Sequence, residues 1–235
     1  MTQLSWLNNF FMPMNVMLEI ACFNVESALI AAKAGAHRIE FCTDFSTGGL
    51  TPSLDDAKKI LAAVNVPVFI MIRPRPGNYV FTDEEFTHFT EWIPKFKAIG
   101  VHGFVFGLLN DDCTINLSKS KQLVQLAAPL PCTFHRAFDT GPDLSKSLED
   151  VIECGFKRLL TSGGAGNAID NVPVLMKLAK QAGDRLVILP GGGVRSSNIE
   201  TLKAIDTNEF HTSAITHVGE VADAEEIKKL LGLLQ

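Results

Sequence analysis

The 235-residue chain has no CxxC pair, no run of basic residues, no GxSxG elbow and no GxGxxG loop after its first candidate strand. Each absence removes a class of function. Cys22, Cys42, Cys113, Cys132 and Cys154 are an odd number without paired spacing. That pattern argues against a disulfide framework and for a reducing, cytoplasmic setting, with Cys132 and Cys154 read as small buried hydrophobes. Lys and Arg total 21 against 26 Asp and Glu, a net charge of −5 with no basic stripe, which argues against nucleic acid as a partner. No apolar run reaches the ~20 residues that cross a bilayer, so a membrane span is not expected. Without GxSxG, neither Ser162 nor Ser213 reads as a hydrolase nucleophile. Without GxGxxG, an open dinucleotide-binding sheet loses its main support.

Residues 1–16 stand apart from the repeating pattern that follows. They lack the positive start and small-residue cleavage site of a secretory signal. One reading is an N-terminal extension laid against the barrel bottom through Trp6, Phe10 and Phe11; the other is a true start at Met17.

From residue 17 to 235, short β-rich runs alternate with helical patterns. Strands are predicted at 17–21, 37–42, 67–72, 101–106, 131–135, 157–161, 185–189 and 208–212. Helices are predicted near 24–34, 53–63, 82–98, 118–127, 143–154, 168–182, 196–204 and 221–234. Each strand run is short and mostly apolar, as a parallel strand covered on both faces requires. Gly35, Gly100 and Gly155 each end a helix just before a strand, where a left-handed residue lets the chain leave. Pro67 and Pro131 open two further strands. Asn24 with Ser27, Ser53, Thr82 with Glu85, and Ser118 read as helix caps. Eight alternating pairs within one domain predict an α/β fold, a single closed (β/α)8 TIM barrel.

In such barrels the working site lies at the C-terminal ends of the strands. Those ends carry Glu19, Glu40, Arg73, Arg75, His135, Arg136, Asp139, Ser162 and His211. Buried charges must be paired or hydrogen-bonded, so two readings stand. In one, the carboxylates meet Arg73, Arg75 or Arg136 and plug the barrel as an ion-pair network. In the other, the groups line a pocket for a small anionic, perhaps phosphorylated, metabolite, with His135 or His211 able to carry protons. Gly191, Gly192 and Gly193 before a helix start, with Ser213 after the last strand, suggest a phosphate-type anion loop.

The segments LEIAC (18–22), GAHRIEFC (35–42), GGLTPS (48–53), MIRPRPG (71–77), TFHRAFD (133–139), RLLTSG (158–163), PGGGVRSSN (190–198) and EFHTSA (209–214) occur in that order. Through them the chain from Met17 to about Ala214 resembles the CutC family. The resemblance implies a TIM barrel, a cytoplasmic location, a homo-oligomer (dimer or tetramer) and a role in copper homeostasis through Cu(I) binding, with Cys22 and Cys42 as the metal ligands. Pro76 departs from the family pattern, which has a second Gly after RPR. Soft thiolates do select Cu(I). Side chains alternate across a strand, however, so if Glu19 and Glu40 both point inward, Cys42 shares the phase of Glu40 while Cys22 is out of phase with Glu19. Copper binding and metabolite binding, with or without catalysis, therefore both remain open, beside a purely structural role.

Overall fold

The computed structural model describes residues 16–217, 219 and 221–235. The extension over residues 1–16, with its anchors Trp6, Phe10 and Phe11, lies outside them apart from Val16. The strands are β1 (Met17–Cys22), β2 (Arg38–Phe41), β3 (Val68–Met71), β4 (Gly103–Phe106), β5 (Cys132–Phe134), β6 (Arg158–Thr161), β7 (Val187–Pro190) and β8 (Glu209–Thr212). Between and after them run α1 (Val25–Ala34), α2 (Leu54–Ala63), α3 (Asp83–Ala98), α4 (Leu117–Ala127), α5 (Leu144–Glu153), α6 (Val172–Ala182), α7 (Ile199–Leu202) and α8 (Ala224–Leu234). All ladders are parallel, in the order β7-β6-β5-β4-β3-β2-β1-β8. At the β7–β8 seam, side chains link the two edges: the Thr207 hydroxyl before β8 donates to the Ile188 carbonyl of β7 at 2.5 Å, and the Thr212 hydroxyl to the Val194 carbonyl beyond β7 at 2.7 Å. The result is a nearly closed (β/α)8 barrel. Among the described residues no helix is long and apolar enough to cross a membrane.

The local signals explain most element ends. Gly35, Gly100 and Gly155 have φ of 100°, 86° and 89°, a region open to glycine at no steric cost. Asn24 accepts from the Ser27 amide, Ser53 from the Asp56 amide, and Thr82 with Glu85 forms a reciprocal capping box. The cap expected at Ser118 is instead Asn116, which accepts from the Lys119 amide, so α4 starts one residue earlier. The helix expected over 196–204 shrinks to the single turn α7.

Alternation along the strands sorts the core into two layers. Leu18, Ile20, Ile39, Phe41, Ile70, Phe104, Phe106, Phe134, Leu159, Ile188 and Phe210 are buried in one large apolar cluster with the helices. Removing each such side chain from water contributes about 1.5–3 kcal/mol. The residues in the opposite phase, Glu19, Arg38, Glu40, Phe69, Met71, Val105, Arg158, Leu160, Glu209 and His211, fill the barrel itself. Gly103 makes room there, since a Cβ at that position would sit 2.6 Å from the Phe69 ring.

Candidate functional site

The lower barrel interior is a network of ion pairs in which Arg38 Nη1 is the one buried atom left without a partner among the described residues. Arg38 bridges Glu19 and Glu209, and Arg158 Nε donates to both oxygens of Glu209 at 2.9 and 3.1 Å. Both guanidiniums lie over the Phe69 ring, at 5.1 and 5.5 Å. Glu19 and Glu40 were expected to meet Arg73, Arg75 or Arg136; Glu19 meets Arg38 instead, and Glu40 meets no arginine among the described residues. Burial alone would raise the pKa of Glu19, but Arg38 and His211 overcome it and hold it at about 2. That ionised carboxylate accepts from His211 Nδ1 at 2.7 Å.

Above this plug lies a cavity of about 310 Å³, within the range of small-molecule sites. Of the expected residues, Glu40, Arg73, His135, Arg136, His211, Gly192, Gly193 and Ser213 line it. Here the charges do not match. Arg73 is 4% exposed and has no carboxylate partner among the described residues. Its Nη atoms donate to the carbonyls of Thr47, Gly49 and Gly77, and its Nε is buried without an acceptor. Burial, and then the Arg73 charge, push His135 down to about 3, so its ring is neutral. His135 Nδ1 accepts from the Ala137 amide at 3.3 Å, which leaves the proton on Nε2, and that donor is also buried without a partner. Tyr79 binds the two together, its ring 4.9 Å from the Arg73 guanidinium and 4.9 Å from the His135 ring.

On the pocket floor stands Glu40, 3% exposed, with Oε1 buried and unpartnered. Its Oε2 is 3.7 Å from His211 Nε2, beyond hydrogen-bonding distance. Burial raises Glu40 to about 7 against the pull of His211. Burial opposes charge on His211, yet Glu40 and Glu19 hold its pKa above the ordinary value. Ligand atoms of Glu19, Glu40 and His211 lie within 4.8 Å of one another, the one such group of His, Cys, Asp and Glu found among the described residues.

Several expected residues do not reach the cavity. Arg75 turns outward to Glu85 at the start of α3 and packs over Phe81. Asp139 and Ser162 form a closed clamp: Arg136 Nε donates to Asp139 at 2.9 Å, Arg136 Nη2 to Ser162 Oγ at 2.8 Å, and Asp139 also takes the Ser162 and Gly164 amides. Gly191 packs against Leu160 instead of facing the pocket. Glu19 sits behind His211. The glycine loop survives only in part. Gly192 and Gly193, at φ 91° and 74°, face the cavity, but α7 is one turn long and starts beyond them, so no helix dipole points at an anion there. Among the lining residues that were not expected as site residues are Tyr79 and Arg195, both in loops beyond strand ends.

Cys22 and Cys42, the expected Cu(I) ligands, fall in different apolar clusters. Cys22 belongs with Leu18 and Ile20 to the cluster between strands and helices. Cys42 belongs to a separate inner cluster with Phe69, Met71 and Val105, although the Cys22 thiol is still near enough to help raise the pKa of Cys42. Each Sγ donates to a backbone carbonyl, Cys22 to Ile20 and Cys42 to Cys22. Burial, reinforced by the Glu40 charge, pushes both thiols well up. The donors grouped on the pocket floor are oxygen and nitrogen.

Comparison with known proteins agrees with this barrel. Residues 16–216 match the model of the CutC family. The copper homeostasis protein cutC homolog of Homo sapiens is 40% identical over 199 residues, which cover 84% of this chain and 73% of that protein. The family protein CutC of Chromobacterium violaceum is 37% identical over 217 residues, 92% of this chain and 87% of that one. The crystal structure of the copper homeostasis protein CutC from Streptococcus agalactiae superposes with a TM-score of 0.80 at 30% identity, over 86% of this chain and all of that one. A phosphoribosyl anthranilate isomerase from Thermus thermophilus, at 16% identity and a TM-score of 0.61 over 93% and 98% of the two chains, shares the fold alone.

Proposed function

The chain belongs to the CutC family, and from that premise we propose that it serves copper homeostasis through the pocket at its barrel mouth, which takes a small anionic ligand. The observation that carries this reading is the pair of orphan donors, Arg73 Nε and His135 Nε2, both buried and both on residues that line one cavity. A buried guanidinium without a carboxylate is costly, as is a buried N–H without an acceptor, and a bound anion relieves both. A phosphate or a carboxylate supplies the needed acceptors, and Arg is the side chain that recognises either in a planar, bidentate way. Gly192, Gly193 and Ser213 border the same space with backbone and hydroxyl groups.

A thermal-shift screen of inorganic phosphate, phosphorylated metabolites and small carboxylates tests the reading. A bound anion at a hundredfold excess over its Kd adds about 2.7 kcal/mol of stability. The expected result is a raised Tm in the wild type that disappears in Arg73→Gln. No shift with any anion, or an equal shift in Arg73→Gln, refutes it.

The Cu(I) reading, with Cys22 and Cys42 as ligands, is favoured by the family name and not by the donor set. Titration of Cu(I) against the wild type and a Cys22→Ser, Cys42→Ser double variant separates the two; on the pocket reading the affinities are equal. The five unpaired thiols are consistent with a cytoplasmic setting, and a homodimer or tetramer is the assembly that light scattering should find.

A further inference from the structure

We infer that the floor of the pocket is a binding site for a divalent first-row cation, with Glu40 and His211 as its protein ligands and Glu19 as the residue that orients His211. This goes beyond the anion reading and stands on different residues.

The first argument is a charge inventory. Inside the barrel, Arg38 and Arg158 face three carboxylates, Glu19, Glu40 and Glu209. The ion pairs consume Glu19 and Glu209. Glu40 is the surplus charge, and it is the one whose Oε1 is buried without any partner. A buried carboxylate in that position calls for a cation or a proton donor. His211 is the nearest basic group, but its Nε2 is 3.7 Å from Glu40 Oε2, too long for a hydrogen bond. That gap suits two ligands that meet at a third atom.

The second argument is the state of His211. Its Nδ1 lies 2.7 Å from Glu19 Oε1. Arg38 binds the other oxygen of Glu19, so this carboxylate is fixed from both sides. A carboxylate on Nδ1 places the hydrogen there and leaves the Nε2 lone pair facing Glu40. This is the arrangement in which metal-bound histidines are ordinarily held. The donor set then reads as one imidazole nitrogen and one carboxylate, with the remaining positions open to the cavity. Imidazole and carboxylate suit zinc-like cations, and such a site ranks Cu²⁺ above Zn²⁺. The open positions face the same cavity as Arg73 and His135, so a cation and an anion can occupy the pocket together.

Zn²⁺ affinity of the full chain, measured in phosphate-free buffer by competition with a chromophoric chelator, tests the site. One equivalent should bind. Affinity should fall about 10- to 100-fold in Glu40→Gln and in His211→Asn, and about tenfold in Glu19→Gln, the size of effect expected of an outer partner. The Cys22→Ser, Cys42→Ser double variant should bind as the wild type does. Circular dichroism establishes that each variant is folded; Glu40→Gln keeps the shape of the side chain, so its affinity decides if His211→Asn does not fold. Co²⁺ gives a readout on the unmutated chain: its spectrum should show ligand-field bands without a thiolate charge-transfer band. Unchanged Zn²⁺ affinity in Glu40→Gln, a thiolate band, loss of binding only in the cysteine variant, or Mg²⁺ bound as tightly as Zn²⁺ would each overturn the inference. The anion reading is tested separately, since its Tm shift is measured with chelator present and depends on Arg73.

Discussion

The two ends of the barrel interior hold the same kinds of residue in opposite states. Below, Arg38 and Arg158 are matched to Glu19 and Glu209 and stacked on Phe69. Above, among the described residues, Arg73 has no carboxylate, Glu40 has only His211 at 3.7 Å and one orphan oxygen, and His135 keeps an idle donor. Buried charge therefore does not by itself mark a functional site. A paired network closes the barrel and holds the fold, whereas an unpaired residue at the mouth is a cost that a ligand can recover. An ion-pair plug and an open cavity, the two arrangements read from sequence as alternatives, are successive layers of one barrel.

The largest effect that sharpens this contrast is expected at Arg38. In Arg38→Ala two buried carboxylates lose a partner, which should destabilise the chain by about 3–5 kcal/mol. Urea unfolding measures it; a loss under about 1 kcal/mol would break the claim that the lower layer is structural.

Next in size is a pair of pH effects with opposite signs. Glu19 is held at about 2 in the folded chain against an ordinary value of 4.5. Its stabilisation is present above pH 4.5 and is lost as the pH falls towards 2, by about 2–3 kcal/mol. Glu40 is raised to about 7 from 4.5. Its share is present below pH 4.5 and is lost as the pH rises through 7, by about 1–3 kcal/mol. Tm measured against pH in the presence of chelator should fall on both sides, and Glu40→Gln should shrink the alkaline decline to the share of His211 that Glu19 supports, while leaving the acid one. Loss of both limbs in that variant would show that the layers do not act separately.

Smaller again is the effect at Gly103. Adding a methyl group there presses on the Phe69 ring that carries both arginines. Gly103→Ala should cost about 1–3 kcal/mol by overpacking and leave anion-induced stabilisation intact. A variant that folds normally but no longer responds to anions would mean that the plug shapes the pocket.

How much of this was legible in the sequence depends on whether local rules fix a side chain's direction. The strands, most caps and the glycine exits follow from period and turn chemistry, and the structure keeps them. Arg38 was legible too: in RIEF it shares the phase of Glu40, so alternation places both inside, although it had been passed over as a partner for the carboxylates. Arg75 could not be placed that way. It lies beyond the end of β3, past Pro74, and its direction is set by Glu85 at the start of α3. Tyr79 and Arg195 lie in loops where no period operates. The out-of-phase reading of Cys22 agrees with its place among the helix-facing residues.

The smallest expected effect is also the sharpest test of the contrast. Arg73 is as buried as Arg38, at 4% against 2% exposure. If burial alone set the cost of truncation, the two substitutions would destabilise alike. Removing Arg73, however, orphans no carboxylate; it frees only the carbonyls of Thr47, Gly49 and Gly77, of which those of Thr47 and Gly77 sit in partly exposed hydrogen bonds. It also removes the charge that, after burial, helps to keep His135 neutral. Arg73→Gln should therefore cost about 1 kcal/mol or less in urea unfolding, while abolishing the anion-induced rise in Tm. A loss approaching that of Arg38→Ala would make Arg73 a structural residue and leave the mouth of the barrel without the charge its anion site requires.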